Sequence, residues 1–153
     1  MLAYLNQNSA QSLADGLAEY HREHPFLTRG DQLSADAREF FRNHDVVHVV
    51  YGCGTSLTHE AVVKLSSFFG TTGGREAIEG YRLNESHDIY KTLRFADILT
   101  TIAHAFIVVP RTLWRCACQT APWPWAAHEA YFDTPLRDLR ARYHIRVAGR
   151  LGA

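Results

Sequence analysis

The chain of 153 residues has little of several residue types that define particular protein classes. It contains three cysteines, an odd number, so a disulfide framework is not expected and a reducing compartment is the default. Its 16 Lys and Arg residues balance its 16 Asp and Glu residues, and no local block of Lys and Arg stands out. We therefore predict no nucleic-acid partner, because such partners are bound by basic surfaces.

Long hydrophobic runs are also absent. The most apolar stretch, residues 95–110, is interrupted by Asp97 and His104 and is shorter than the ~20 residues of a membrane span. The first eight residues lack the basic and apolar regions of a signal peptide. We predict a cytoplasmic protein, with contact to the inner face of a membrane as the alternative.

The apolar residues of the sequence recur mainly with helical periodicity, and alternating strand patterns and internal repeats are missing. We predict an all-α protein, with residues 1–153 forming one bundle-like domain of about six helices. The residues that set its boundaries are typical caps and breakers. The first helix begins at Asn8 or Ser9 and ends before Pro25, the second runs from Ser34 to about Tyr51, and the third from Thr55 or Ser56 to Gly70. A long helix begins at about Asp88, and Pro110 kinks or restarts it. The last helix begins at Thr134 and Pro135.

Two parts of this pattern carry further expectations. Residues 75–86 are ambiguous between helix and loop. In the last helix we expect Leu136, Leu139 and Tyr143 to face inward, and Arg137, Arg140 and Arg142 to form a solvated face.

The nine histidines are the compositional oddity, and one motif contains two of them. His44 and His48 lie one helical turn apart, so both imidazoles can reach one metal ion. Glu60 follows the break at residues 52–54 by about one turn and faces His48 if the two helices fold back on each other. This mixed nitrogen and oxygen set suits Zn²⁺ or another divalent transition metal.

Asp45 lies about 100° around the same helix, where it can orient a ligand, serve as a further ligand or act as a base. Phe40, Phe41 and Tyr51 accompany the histidines. We therefore expect a site lined by hydrophobic side chains, suited to an apolar substrate with a polar head.

Other readings of the motif remain open. His44 and His48 can be structural, with Glu60 paired to Lys64 on the surface. A zinc metalloprotease would have Glu after the first His, where this chain has Asp45. A metal-dependent phosphohydrolase of the His-Asp type would need further ligands, for which the weak candidates are His21 or His24 and Asp88 or Asp97.

The pattern His44-Asp45-x-x-His48-x(11)-Glu60 resembles the signature of the Coq-four family of coenzyme Q (ubiquinone) biosynthesis. The similarity includes Gly52, Thr55 and residues 60–64. A second similar patch comprises residues 135–140 with Ile145. In all, the resemblance covers residues 38–70 and 123–146.

The resemblance implies an all-helical, membrane-associated protein that binds a divalent metal, commonly taken as zinc. His44, Asp45, His48 and Glu60 would be the metal-site residues, with Asp45 or Glu60 available for proton transfer. The implied activity is decarboxylation of a polyprenylated aromatic acid. The implied partners are a polyprenyl lipid or quinone precursor and other proteins of quinone biosynthesis. The alternatives are a non-catalytic, prenyl-lipid-binding scaffold and a small metal-dependent hydrolase.

The chain differs from the family at two positions: His59 stands where a small residue is usual, and His128 stands where the family has Trp. An imidazole at position 59 would be able to alter the choice of metal or substrate. Elsewhere, Cys116 and Cys118 are expected to fill the interior rather than bind metal, and Asp97 and His104 to be satisfied by neighbours. The three tryptophans, Trp114, Trp123 and Trp125, favour core or homodimer contacts over a membrane interface.

Overall fold

The structure, a computed structural model, describes residues 2–25, 34–81 and 95–149, with the backbone alone for 95–104. The described residues form six α-helices and no sheet, which confirms the all-α prediction. Short 3-10 turns lie at Ala3–Leu5 and His128–Tyr131. The helices are α1 (Leu13–Glu23), α2 (Ala35–Val50), α3 (Leu57–Phe69), α4 (Gly74–Gly80), α5 (Phe95–Ala117) and α6 (Leu136–Tyr143).

The start of α1 differs from the prediction. Ser12, rather than Asn8 or Ser9, is the N-cap, and its hydroxyl accepts a hydrogen bond from the backbone N–H of Asp15. Ser9 has another role, because its carbonyl accepts from the backbone N–H of Arg137 at the start of α6. The prediction at the second and third helices is confirmed, since Ser34 and Ser56 cap α2 and α3 through their hydroxyls.

The start of α6 also differs. Pro135 is the N-cap and Leu136 the first helical residue, so Thr134 lies one position outside the expected cap. Backbone carbonyls of the N-terminal segment, from Ser9 and Gln11, accept the first N–H groups of this helix. A side-chain cap is therefore not needed there.

Among the described residues, α5 runs unbroken through Pro110, so of the two outcomes predicted there, a kink or a restart, the restart is not observed. Gly70 ends α3 in a right-handed conformation, with φ of −109°. Residues 75–80 of the ambiguous segment belong to α4, Tyr81 follows as its C-cap, and residues 82–86 lie outside the described residues. The predicted helix start near Asp88 also lies outside them. None of the described helices combines the length and the apolar composition needed to cross a membrane.

The core is built around α2, which packs against α1 and α3, while α3 lies along α5. Four valines of α2 are fully buried, and Trp123 and Trp125 are buried in the same cluster, as the core interpretation of these two tryptophans predicts. Trp114, in contrast, is 55% exposed. The valines are Val46, Val47, Val49 and Val50.

Arg140 contradicts the predicted arginine face of the last helix. Its side chain is 1% exposed, whereas Arg137 and Arg142 are exposed as expected. The guanidinium donates to backbone carbonyls of the N-terminal segment and of the last turn of α2. A planar fork of donors makes this burial possible, because the guanidinium N–H groups lie against backbone carbonyl oxygens that accept them.

The connection between α2 and α3 sets up the site. Gly52 adopts a left-handed conformation with φ of +63°, and a Cβ there would lie 2.7 Å from the side chain of Val147. The Cys53 N–H returns to the carbonyl of His48. The chain thus reverses within a few residues, and the last turn of α2 faces the first turn of α3, as the spacing predicts.

Candidate metal centre

Three side chains of the motif converge where α2 and α3 meet. The Nε2 of His48 lies 3.3 Å from one Glu60 carboxylate oxygen, and the Nε2 of His44 lies 3.6 Å from the other. Ligand atoms of the three residues all lie within 4.8 Å of one another. In a tetrahedral zinc site with bonds of about 2.1 Å, neighbouring ligand atoms lie about 3.4 Å apart. The described geometry therefore fits a single metal ion with little movement.

His48 is held in the form that a metal requires. It is fully buried, and its Nδ1 lies 3.1 Å from the carbonyl oxygen of Gly54. Because a carbonyl can only accept, Nδ1 carries a proton, and in the neutral ring Nε2 keeps its lone pair. That Nε2 is buried and has no hydrogen-bond partner in the described part of the chain. Such an unsatisfied acceptor beside a carboxylate calls for a cation between the two.

Asp45 lies behind His44 and outside the group of three. One of its oxygens lies 2.9 Å from the Nε2 of His21 on α1, and the other lies 3.6 Å from the Nδ1 of His44. The carboxylate is thus placed to orient the His44 ring from the side away from the metal position. The His44 Nδ1 has no hydrogen-bond partner among the described residues, and a small approach of the two groups would give the arrangement in which a carboxylate supports a ligating imidazole.

The charges of the site reinforce one another. Burial alone would lower the pKa of His44, but the carboxylates of Asp45 and Glu60 outweigh it and raise this pKa to about 9. Burial would raise the pKa of Glu60, yet the protonated His44 beside it, first among the causes that lower it, holds it well below its usual range. The pKa of Asp45 is also lowered, against the effect of burial, by His21 and His44. Both carboxylates are therefore ionised at neutral pH.

Aromatic rings enclose the imidazoles. Tyr20 of α1 stacks on His48, with ring centroids 5.1 Å apart. Phe40, Phe41 and Tyr81 surround His44, with centroids 5.7 to 6.3 Å from it. The expected apolar lining is thus present at His44. Tyr51 is not part of it, because its hydroxyl points to the carbonyl of Gly70.

His59 is turned away from the metal position, although it directly precedes Glu60. Its Nδ1 accepts from the Gly54 N–H at 3.0 Å, and its Nε2 lies 3.3 Å from the Gly149 carbonyl. Both ring nitrogens are therefore engaged by backbone groups. His59 is not an additional ligand in this arrangement.

Three residues contact the ligands or their supporting groups in ways that the sequence does not predict. The sequence presents His21 only as a weak candidate metal ligand, and it gives no signal for Tyr20. His59 was considered as an imidazole at the metal. Their roles depend on how α1 and the segment near Gly149 pack on the hairpin, and local spacing holds no signal of that packing.

The other candidates lie elsewhere. His128 is fully buried, with its Nδ1 3.0 Å from the carbonyl of Trp125. Cys116 is buried and Cys118 half-buried, both as free thiols, in agreement with a packing role. His24 lies against Tyr20 rather than in the ligand group. The side chains of Asp97 and His104, and all of Asp88, lie outside the described residues.

Comparison of the chain with protein-family models, with curated proteins and with solved structures found no match. Two neutral imidazoles and one carboxylate form a ligand set that catalytic zinc sites use, with the fourth position left for water or substrate.

Proposed function

We propose that this protein is a metal-dependent component of ubiquinone biosynthesis that decarboxylates a polyprenylated aromatic acid, with Zn²⁺ as the metal. The observation that carries the proposal is the convergence of His44, His48 and Glu60 on one point. These are also residues through which the chain resembles the Coq-four signature. The buried, unpartnered Nε2 of His48 supports a metal ligand over a structural histidine.

His44, His48 and Glu60 would hold the metal, and Asp45 would orient His44. A divalent metal bound there would act as a Lewis acid that stabilises negative charge on the substrate as carbon dioxide leaves. The rings of Phe40, Phe41 and Tyr81 offer an apolar surface beside His44 for an aromatic substrate. Because Glu60 serves as a ligand in this arrangement, Asp45 is the carboxylate left for proton transfer.

The pair of His21 and Asp45 gives that proton a route to solvent. The side chain of His21 is 39% exposed, whereas that of Asp45 is only 13% exposed. A proton can therefore pass between solvent and the carboxylate through the His21 ring. This arrangement supports Asp45 as a group that exchanges protons with solvent, although it lies behind His44, on the side away from the metal position.

A polyprenyl substrate implies contact with a membrane, and the outer face of α5 supports it. Phe106 is 82%, Ile107 63% and Trp114 55% exposed on this face. Burial lowers the pKa of Arg115, and the nearby Arg111 and Arg146 lower it further. The Arg146 guanidinium lies 5.6 Å from the Trp114 ring centroid. Exposed aromatic residues interleaved with arginines favour the surface of an anionic bilayer.

Metal analysis tests the site. We expect purified protein to contain close to one equivalent of divalent metal, and the variants His44→Ala, His48→Ala and Glu60→Gln to lose it. His144→Asn is the matched control, because His144 is exposed, far in sequence from the hairpin, and in a left-handed conformation that Asn tolerates. Metal-free wild type, or full metal content in His44→Ala and His48→Ala, would disprove the site.

The pathway is tested separately, in cells that lack the corresponding decarboxylation step. We expect the wild-type gene to restore ubiquinone, measured in lipid extracts, and Glu60→Gln to fail. If folded Glu60→Gln restores ubiquinone as well as wild type does, the protein is a scaffold. If metal-loaded wild type restores none, the assignment to this pathway is wrong while the metal site stands.

A small metal-dependent hydrolase is the second candidate, because the His-His-Glu set with an open position is also the set of zinc hydrolases. A groove of about 280 Å³ lies beside Phe40, but none of the three ligands lines it. Its carboxylates, from Asp36, Glu39, Glu76 and Glu79, disfavour an anionic group, whether a carboxylate or a phosphoester, and leave a neutral ester as the better fit. This candidate predicts turnover of generic esters or phosphoesters. Inhibition of that turnover by a polyprenyl lipid would favour the first proposal.

A further inference from the structure

The backbone of Gly54 links two histidines of the hairpin. Its N–H donates to the Nδ1 of His59 at 3.0 Å, and its carbonyl oxygen lies 3.1 Å from the Nδ1 of His48. Since an N–H only donates and a carbonyl only accepts, these contacts fix both tautomers. His48 carries its proton on Nδ1. His59 carries its proton on Nε2, which donates to the Gly149 carbonyl at 3.3 Å.

We propose that His59 is a positioning residue of the candidate metal centre, which holds Gly54 in place and thereby keeps the Nε2 of His48 free for the metal. The inference rests on the proposed metal site but concerns a residue outside the ligand set. His59 acts through the backbone of Gly54 and touches neither the metal position nor a substrate.

The structure explains why His59 can act as this anchor. Its own backbone is fixed in the first turn of α3, where its N–H donates to the hydroxyl of Ser56 at 3.3 Å. Its ring is held at the far side by Gly149. Gly54 follows two other residues of a tight turn and has no side chain with which to hold itself. The His59 ring therefore supplies the contact that fixes the Gly54 peptide.

Fixing the Gly54 peptide matters for His48, because the Nε2 of His48 lies 3.3 Å from Glu60. If Gly54 turned away, the Nδ1 proton of His48 would lose its acceptor in a fully buried position. The ring would then gain by placing its proton on Nε2, toward the Glu60 carboxylate, which would block the metal position. Contacts of this kind typically contribute 10- to 100-fold to metal affinity.

Three substitutions of His59 separate positioning from general stability. In His59→Asn the amide oxygen reaches about where Nδ1 was and still accepts from Gly54. In His59→Gln the amide reaches about where Nε2 was and keeps the contact with Gly149 instead. His59→Ala loses both contacts. The Asn and Gln variants each keep one of the two hydrogen bonds, so we expect them to fold with similar stability. Each variant therefore serves as the stability control for the other.

Two measurements decide the outcome. The first is the tautomer of His48 in metal-free protein at mildly alkaline pH, read from imidazole ¹⁵N chemical shifts. We expect the Nδ1–H form in wild type and His59→Asn, and a mixture of forms in His59→Gln and His59→Ala. The second is Zn²⁺ affinity by chelator competition, which we expect to weaken about tenfold or more in His59→Gln and His59→Ala and less than about threefold in His59→Asn.

The proposal is overturned if His48 keeps the Nδ1–H tautomer in folded His59→Gln, or if the Asn and Gln variants lose equal affinity. Failure of the metal site is a different result, since wild type would then bind no Zn²⁺. The ¹⁵N measurement needs no metal, so it still decides whether His59 orients His48. Thermal unfolding of each variant shows whether a loss follows from unfolding alone.

Discussion

At the level of single residues, the site holds protons where a metal would bind. His44 has its pKa raised to about 9, because its neighbouring carboxylates outweigh the effect of burial. In metal-free protein at neutral pH this imidazole is therefore protonated and its positive charge balances the carboxylates. Metal and proton compete for the same lone pair.

This competition predicts how metal affinity depends on pH. As pH falls below about 9, a proton must leave His44 before the metal can bind. We expect the apparent affinity for Zn²⁺ to fall about tenfold for each pH unit below that value, and to level off above it. Chelator competition at a series of pH values measures the slope. In Glu60→Gln, which lacks one charge that raises this pKa, any residual binding should begin to weaken only at lower pH.

A constant affinity across the neutral range would contradict this prediction. It would mean that His44 is already neutral in metal-free protein. In that case the two carboxylates would not control the imidazole as their distances of 3.6 Å imply.

Asp45 gives a second prediction at this scale, because its position distinguishes a ligand from a supporting residue. Its carboxylate bonds to His21 at 2.9 Å and lies outside the ligand group. We expect Asp45→Asn to weaken Zn²⁺ binding about 10- to 100-fold without abolishing it, whereas Glu60→Gln removes a ligand and should weaken binding further. Equilibrium dialysis of both variants checks the order. An Asp45→Asn loss equal to that of Glu60→Gln would mean that Asp45 is a ligand.

At the level of elements, Arg140 connects three parts of the chain. Its guanidinium donates to the carbonyls of Tyr4, Asn6 and Gln7 in the N-terminal segment and to those of Val49 and Val50 at the end of α2. The last carbonyls of a helix lack internal partners and carry partial negative charge, so a buried cation is well placed there. This residue therefore supports the turn of α2 that carries His48.

We expect Arg140→Lys to destabilise the protein by about 2–4 kcal/mol, because a single ammonium cannot replace the planar fork of donors. Denaturant unfolding monitored by circular dichroism measures the change. Arg137→Lys is the matched control, since the Arg137 side chain is 56% exposed, and should change stability by less than about 0.5 kcal/mol. Equal stability of Arg140→Lys and wild type would show that the buried hydrogen bonds contribute little.

The helices and their meeting point were predictable because they follow from local spacing. Ser34 and Ser56 are followed by helical periodicity, and the short break after His48 leaves only a tight reversal that brings Glu60 back. Arg140 was not predictable, because an arginine in an amphipathic pattern indicates solvent. Its acceptors lie more than 80 residues away along the chain. The role of His59 was hidden for the same reason, since Gly149 lies 90 residues from it.

At the level of the whole molecule, a formal net charge of zero conceals an uneven surface. Carboxylates line the groove beside Phe40, while arginines accompany the exposed apolar residues of α5. A surface with both apolar and cationic character binds an anionic bilayer through burial of apolar area and through electrostatic attraction. Salt screens only the electrostatic attraction. The two regions should therefore behave differently toward lipid.

This difference gives the last prediction. We expect the protein to sediment with vesicles of anionic phospholipid more than with zwitterionic vesicles, and salt to weaken but not abolish the binding. Trp114 should shift its fluorescence to shorter wavelength on binding, while Trp123 and Trp125 are buried and change little. Phe106→Ser should reduce binding several-fold by removing apolar area, and Arg111→Gln should reduce mainly its salt-sensitive part.

Ile78→Ser is the matched control, because Ile78 is 38% exposed on α4, between residues that line the acidic groove. Equal binding by wild type and Phe106→Ser, or equal loss in Ile78→Ser, would exclude the α5 face as the lipid-binding surface.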